Sequence, residues 1–199
     1  TMFLMFMCIH FNYTLLRNPK DTLVVTAAGA AIIPFLKVWC VLPAAVAYMA
    51  AYSKASGVLS KKALFRACIA PFMAYFLLFG LYIYPNREAL HPGSSADYLA
   101  EILPKGFVSI YRYWSFSLFY ILAELWGTVV LSVLFWGLAN DCTPVTEAKR
   151  IYALLGVGAN FALIFAGPFI DVLTRITNDP SLADPWAVSL RYLCTFVVV

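Results

Sequence analysis

Long uncharged runs of apolar residues recur along this 199-residue chain and limit the folds open to it. These runs are roughly 16 to 20 residues long, close to the ~20 that a helix needs to cross a bilayer. Of all residues, 63% are hydrophobic and 12% are charged, whereas about 25% are charged in a typical soluble domain. Alternation with a period of two, the pattern of a transmembrane β-barrel, is never sustained. The sequence therefore predicts an all-α polytopic membrane protein.

Polar connections containing proline and glycine divide the chain into six predicted membrane spans. We place them at about residues 1–26, 32–52, 67–86, 108–139, 151–170 and 186–199. A short surface helix is expected over residues 95–103. Because the chain opens and closes inside hydrophobic runs, we interpret residues 1–199 as one transmembrane bundle of a longer protein, with its last span truncated.

The loop "SKASGVLSKKALFR" between the second and third spans contains four cations and no acid. Short loops rich in lysine and arginine remain on the cytoplasmic side of a membrane. We therefore predict that this loop is cytoplasmic or stromal. The connections after the first, third and fifth spans are then expected on the opposite side.

One carboxyl group falls near the middle of the predicted fourth span. Glu124 lies twelve residues after Arg112 and seventeen before Asp141, and a charge at that depth costs roughly 2.5 to 3.5 kcal/mol. Helical spacing gives it a polar face, made of Tyr113, Ser117, Tyr120, Glu124 and Thr128. Either this carboxyl is kept neutral or hydrogen-bonded for packing, or it binds a cation or proton or pairs with a mobile lysine.

The stretch "TLLRNPKD" in the first span places a proline between two cations. Arg17 and Lys20 share a helical face with Tyr13, and Asp21 lies four residues after Arg17, where the two can pair. Pro19 removes one helical hydrogen bond and opens the helix. Broken helices flanked by charges are typical of transporter cavities. The alternative is that the lysine reaches the lipid headgroups along its alkyl stem.

Three weaker signals lie in other spans. Lys37, in "IPFLKVW", is near the start of the second span, where it either faces a ligand or extends to the headgroups. Asn160 in the fifth span either bonds across helices or binds a ligand. Small residues at a spacing of four predict close helix contacts. These residues are Ala47, Ala51 and Ala55 in one span and Gly158, Ala162 and Ala166 in another.

Motifs of enzymes and of metal centres do not occur in the sequence. There is no GxxxxGKS phosphate loop, HExxH or GxSxG, and the two histidines and five scattered cysteines show no metal-ligand spacing. We therefore expect no catalytic residues, no cofactor and no metal, and the net charge of +4 gives no reason to expect nucleic acid. An anionic ligand would be bound by side-chain cations such as Arg17, Lys20 and Lys37.

Several segments resemble one family of transporters. They are "FNYTLLRNPKDTLVVT", "IPFLKVW", "SKASGVLSKKALF", "RYWSFSLFYILAELWGTVVLSVLFWGLAN" and "EAKRIYALLGVGANFALIF". They look like the nucleotide transporters of plastids and obligate intracellular bacteria, which are ATP:ADP antiporters unrelated to the mitochondrial carrier. The resemblance implies a twelve-helix, major-facilitator-like protein, of which this chain is the amino-terminal six-helix half and lacks the carboxy-terminal half.

The resemblance also implies an activity and its partners. The protein would exchange ATP for ADP plus phosphate by alternating access. It would lie in the bilayer of an intracellular bacterium's inner membrane or of a plastid inner envelope. The alternatives are a divergent or transport-inactive member that serves as a structural subunit, or a carrier of another nucleotide or of NAD.

The family's essential charges carry over to Lys20 and to Glu124, the latter in "AELWG". The first motif usually reads RDTKD, so this chain has Asn18 in place of aspartate and Pro19 in place of threonine. Together, the residue patterns and the resemblance predict one substrate-binding set. It consists of Tyr13, Arg17, Lys20, Asp21, Lys37, Tyr120, Glu124 and Asn160.

Overall fold

The computed structural model describes residues 2–177 and 184–198, and every regular element in these ranges is helical. In chain order they are α1 (Met2–Ala28), α2 (Ile32–Ser56), α3 (Lys61–Ile83), α4 (Arg87–Leu90), α5 (Ser94–Ala100), α6 (Lys105–Arg112), α7 (Trp114–Cys142), α8 (Ala148–Thr177) and α9 (Pro185–Val198). The predicted all-α class is confirmed for the described residues.

Four of these helices, α2, α3, α7 and α8, are long and apolar enough to cross a membrane. With 27 residues, α1 is also long enough at 1.5 Å per residue, although it contains three charged side chains. The described part of α9 is shorter, with 14 residues. The chain is thus an integral membrane protein. Its orientation, and its place in a twelve-helix architecture, stay predictions.

The predicted fourth span begins too early. The helix breaks at Tyr113 (φ −108°, ψ 43°), so α6 is a separate helix and the span proper starts at Trp114. Phe107 of α6 packs edge-on against Phe35 of α2, with ring centroids 4.7 Å apart. The sequence does not mark this break, because no glycine or proline lies between Gly106 and Gly127. The predicted surface helix is confirmed as α5, which ends three residues earlier than expected.

Small residues let α8 pack closely on α1. A Cβ atom on Gly158 would lie 2.9 Å from the ring of Phe3, and Ala162 and Ala166 are buried. This confirms the prediction that Gly158, Ala162 and Ala166 allow two helices to approach closely. The same expectation is wrong for α2, where Ala47 and Ala51 are exposed.

Aromatic rings fix α7 against α3. Phe76 and Phe79 of α3 are fully buried and lie 5.3 and 4.6 Å from the ring of Phe119. On its other side α7 crosses α1 at Gly127, where an added Cβ would lie 2.7 Å from the Tyr13 ring. This close crossing brings the charged part of α1 beside the centre of α7.

Candidate functional site

Charges from three helices meet at one carboxylate oxygen. Oε1 of Glu124 in α7 lies 3.1 Å from Nζ of Lys20 in α1 and 3.7 Å from Nζ of Lys37 in α2. Nζ of Lys20 also donates to Oδ1 of Asp21 at 2.8 Å. We call these four side chains, Lys20, Asp21, Lys37 and Glu124, the charge cluster. Its two cations and two anions leave it with no net charge.

Lys20 is the buried member of the cluster, with only 4% of its surface exposed. A lysine is almost never buried without partners, and here it has two carboxylates and an aromatic ring. Its Nζ lies 4.3 Å from the centroid of the Tyr120 ring, which is itself fully buried. The negative face of that ring adds a favourable contact with the ammonium. Tyr120 therefore helps to hold Lys20 toward Glu124.

The other charges of the cluster remain within reach of solvent or a ligand. The exposed fraction of the side chain is 56% for Lys37 and 46% for Asp21, but 22% for Glu124. Glu124 thus links a buried cation to an accessible one. An anion entering from the exposed side would meet Lys37 before Lys20.

The structure corrects two expectations about "TLLRNPKD". Asp21 pairs with Lys20 and not with Arg17, because the long stem of Lys20 brings its ammonium back to the adjacent carboxylate. In addition, α1 remains one helix through the buried Pro19, since a proline removes only one helical hydrogen bond and packing holds the rest. Arg17 is exposed, so of the two cations only Lys20 turns into the bundle.

The remaining predicted site residues lie at different distances from the cluster. Tyr13 is half-buried at the crossing with Gly127, two helical turns before Lys20. Asn160 is exposed and donates to the carbonyl oxygen of Gly156 in its own helix at 3.1 Å. The face of α8 that packs on α1 is the opposite one, so the structure does not bring Asn160 to the charges.

Regular winding changes beside two cluster residues. In α2 a π-helical segment, in which backbone hydrogen bonds join residues five positions apart, begins at Lys37. A longer π-helical segment of α7 begins at Trp126, two residues after Glu124. Such π-helical turns are uncommon and occur frequently at functional sites. Nothing in the sequence indicated them, because no proline or glycine pattern is specific for this winding.

Sequence reasoning missed a second polar group, which lies toward the end of the bundle where α1 ends and borders Thr22 and Thr26. Arg87 Nη2 lies 2.8 Å from Asp184 Oδ2, and its guanidinium lies over the Tyr84 ring at 4.4 Å. Nearby, His91 Nε2 shares a 2.7 Å hydrogen bond with Ser115 Oγ. Burial, followed by the effect of Arg87, lowers the pKa of His91 below its ordinary 6.5. The partners are far apart in sequence, so no motif pointed to them.

A charge-balanced cluster built around one buried lysine between apolar helices is characteristic of polytopic membrane transporters, where charges inside the membrane mark substrate pathways. In residues 2–177 and 184–198, no group of three or more His, Cys, Asp or Glu side chains is placed to hold a metal ion. The comparisons with known proteins agree with the transporter class. The chain belongs to the TLC ATP/ADP transporter family, whose model matches residues 1–199.

Its relatives include carriers from bacteria and plants. It is 53% identical over 198 residues to ADP,ATP carrier protein 1 of Chlamydia muridarum, covering 96% of this chain and 37% of that protein. It is 52% identical over 202 residues to the chloroplastic ADP,ATP carrier protein 1 of Arabidopsis thaliana, covering 98% and 32% respectively. The chain thus spans about a third of the length of these relatives. No solved structure matches it.

Proposed function

We propose that the protein containing this chain exchanges ATP for ADP plus phosphate across a membrane by alternating access. The observation that carries this proposal is the charge cluster, in which one carboxylate pairs with both a buried and an accessible lysine. The names of the relatives support the choice of nucleotides. Their organisms support the inner membrane of an intracellular bacterium or the plastid inner envelope as its location.

The cluster can couple substrate binding to helix movement. Without substrate, Glu124 joins α1, α2 and α7 through its two lysine partners. A nucleotide polyphosphate supplies several anionic oxygens that can replace Glu124 beside Lys37, with the exposed Arg17 as a further cation. Releasing Glu124 frees α7 from α2. In the empty carrier the ion pairs resist this release. The binding site therefore changes the side to which it is open only when a nucleotide is bound, and the result is exchange.

The two departures from the family motif leave this arrangement in place. Asn18 is exposed, and the ion pairs of the cluster run through other residues. Pro19 lies inside a continuous α1. These observations favour an active carrier over the alternative of a structural subunit that has lost transport.

The proposal can be tested by uptake into liposomes that contain the protein at its full natural length. We expect Lys20→Gln and Glu124→Gln to abolish exchange of labelled ATP for internal ADP. The matched control is Arg175→Gln, which removes one cation of an exposed pair with Asp171 in α8 and should leave exchange unchanged. Exchange at the wild-type rate in either cluster variant would refute the proposal.

The substrate is tested in the same vesicles. A panel of internal ATP, ADP, NAD and other nucleoside phosphates separates an ATP/ADP exchanger from a carrier of another nucleotide. Labelled internal phosphate tests whether phosphate leaves together with ADP. Exchange confined to NAD, with ATP and ADP inert, would favour the alternative carrier.

A further inference from the structure

A cavity of about 480 Å³ opens where α1 and α3 begin and α7 ends. This end of the bundle lies away from the polar group around Arg87, and the charge cluster does not border the cavity. Six side chains line it, three of them apolar and three cationic. They are Met5, Phe65 and Leu138, and Lys61, Lys62 and Arg66.

Two of the three cations have no acidic partner among the residues that the structure describes. Lys61 pairs with Asp141 of α7 at 2.6 Å, whereas Lys62 and Arg66 make no ion pair there. These two residues lie one helical turn apart on the same face of α3. Arg66 donates its Nε to the carbonyl oxygen of Lys62 at 3.4 Å, so its two terminal amino groups can reach a ligand. The cavity therefore presents two adjacent, uncompensated positive charges.

The depth of these cations matches the headgroup layer. Lys61 is the first residue of the span, so Arg66 lies about 7.5 Å along the helix axis at 1.5 Å per residue. The polar layer on each side of a bilayer is about 5 to 8 Å deep. The side chains of Phe65, Met5 and Leu138 form an apolar floor beside the cations. Positive charge at headgroup depth is thus combined with apolar walls.

We propose that this cavity binds one anionic phospholipid, with its phosphate between Lys62 and Arg66 and its upper acyl chain on the apolar floor. Basic pockets between membrane helices suit such headgroups. A free phosphate or nucleotide would engage only the cations and leave the floor in contact with water. A zwitterionic lipid brings its own ammonium group, which the uncompensated cations repel. The bound lipid would contact α1 and α7, the two helices joined by Lys20 and Glu124.

The test measures phospholipid binding to the detergent-purified protein at its full natural length. We compare phosphatidylglycerol with phosphatidylcholine in the wild type and in Lys62→Gln/Arg66→Gln. A single cation at a membrane surface contributes about a fivefold change in affinity, so the double variant should lose roughly 25-fold for phosphatidylglycerol. The matched control is Lys149→Gln/Arg150→Gln, which removes two exposed cations at the start of α8 and should change affinity less than twofold.

Three results would overturn the proposal. The first is an equal loss in the control variant, which would indicate diffuse surface charge. The second is equal affinity for both lipids. The third is complete displacement of phosphatidylglycerol by millimolar inorganic phosphate, which would indicate a free-anion site. If the double variant is unstable, Lys62→Gln alone keeps the test available, with an expected loss of about fivefold. None of these outcomes depends on transport activity.

Discussion

Removing the charge of Glu124 tests whether the cluster holds the bundle together. At a separation of 3.1 Å from Lys20, Coulomb's law with an effective dielectric constant of about 20 gives an attraction of about 5 kcal/mol. Glu124→Gln keeps the shape of the side chain but loses this attraction. Lys20, which is 4% exposed, then has only Asp21 as an anionic partner. Breaking a buried pair on one side costs about 3 to 5 kcal/mol, and we expect a loss of about 3 kcal/mol because Glu124 retains some contact with water.

The accessible lysine should matter much less to stability. Lys37 lies 3.7 Å from the same oxygen, but 56% of its side chain is exposed, and exposed pairs contribute about 0 to 1 kcal/mol. Lys37→Gln is therefore the matched control. In the double variant Lys20→Met/Glu124→Gln both charges of the pair are gone, and most of the stability lost in Glu124→Gln should return.

The assay is chemical denaturation of the purified protein, followed by tryptophan fluorescence, as a double-mutant cycle. An interaction between neighbouring residues appears as non-additivity of 0.5 to 3 kcal/mol or so. Additive losses would refute the inference that Lys20 and Glu124 stabilise each other. So would a smaller loss in Glu124→Gln than in Lys37→Gln.

Three other predictions concern the helix crossing, the missed polar group and substrate capture. Gly127→Ala should destabilise the fold by about 1 to 3 kcal/mol, because the added Cβ would lie 2.7 Å from the Tyr13 ring. The control in the same denaturation assay is Gly137→Ala, whose added Cβ would have no atom within 4 Å. His91 has a lowered pKa in the folded protein, so the unfolded chain binds a proton there more readily. The free energy of unfolding should therefore fall as the pH drops below about 6.5. His91→Gln should reduce this dependence in unfolding measured from pH 7.5 to 5, and an unchanged pH profile would contradict the prediction. Arg17→Gln should raise the KM for ATP more than it lowers kcat in liposome uptake, because the exposed Arg17 is expected to attract the polyphosphate; a fall in kcat alone would refute this role.

The residue pattern alone determined that the chain is helical, and it identified Glu124 as the leading candidate for the site. Inside a bilayer each backbone polar group must bond within the protein, so apolar runs of this length have to be helices. Within the described residues a helix lies at each predicted span, although the fourth is divided at Tyr113 between α6 and α7. That these six segments are the membrane spans stays a prediction. A charge at the centre of such a run carries a known cost, and for this reason Glu124 could be singled out before any contact was visible.

Only the tertiary structure decided which charges meet. Arg17 and Lys20 share one helical face in the sequence, yet only Lys20 reaches Glu124, 104 residues away. The sequence left two roles possible for Asn160. In the structure α8 packs on α1 with the opposite face, and the Asn160 amide donates to a carbonyl oxygen of its own helix. Helical periodicity sets the direction of a side chain around its own axis, but not which helix lies on that side. Close packing of small and aromatic residues, such as Gly127 on Tyr13 and Tyr120 beside Lys20, fixes the neighbours and thereby the ion pairs.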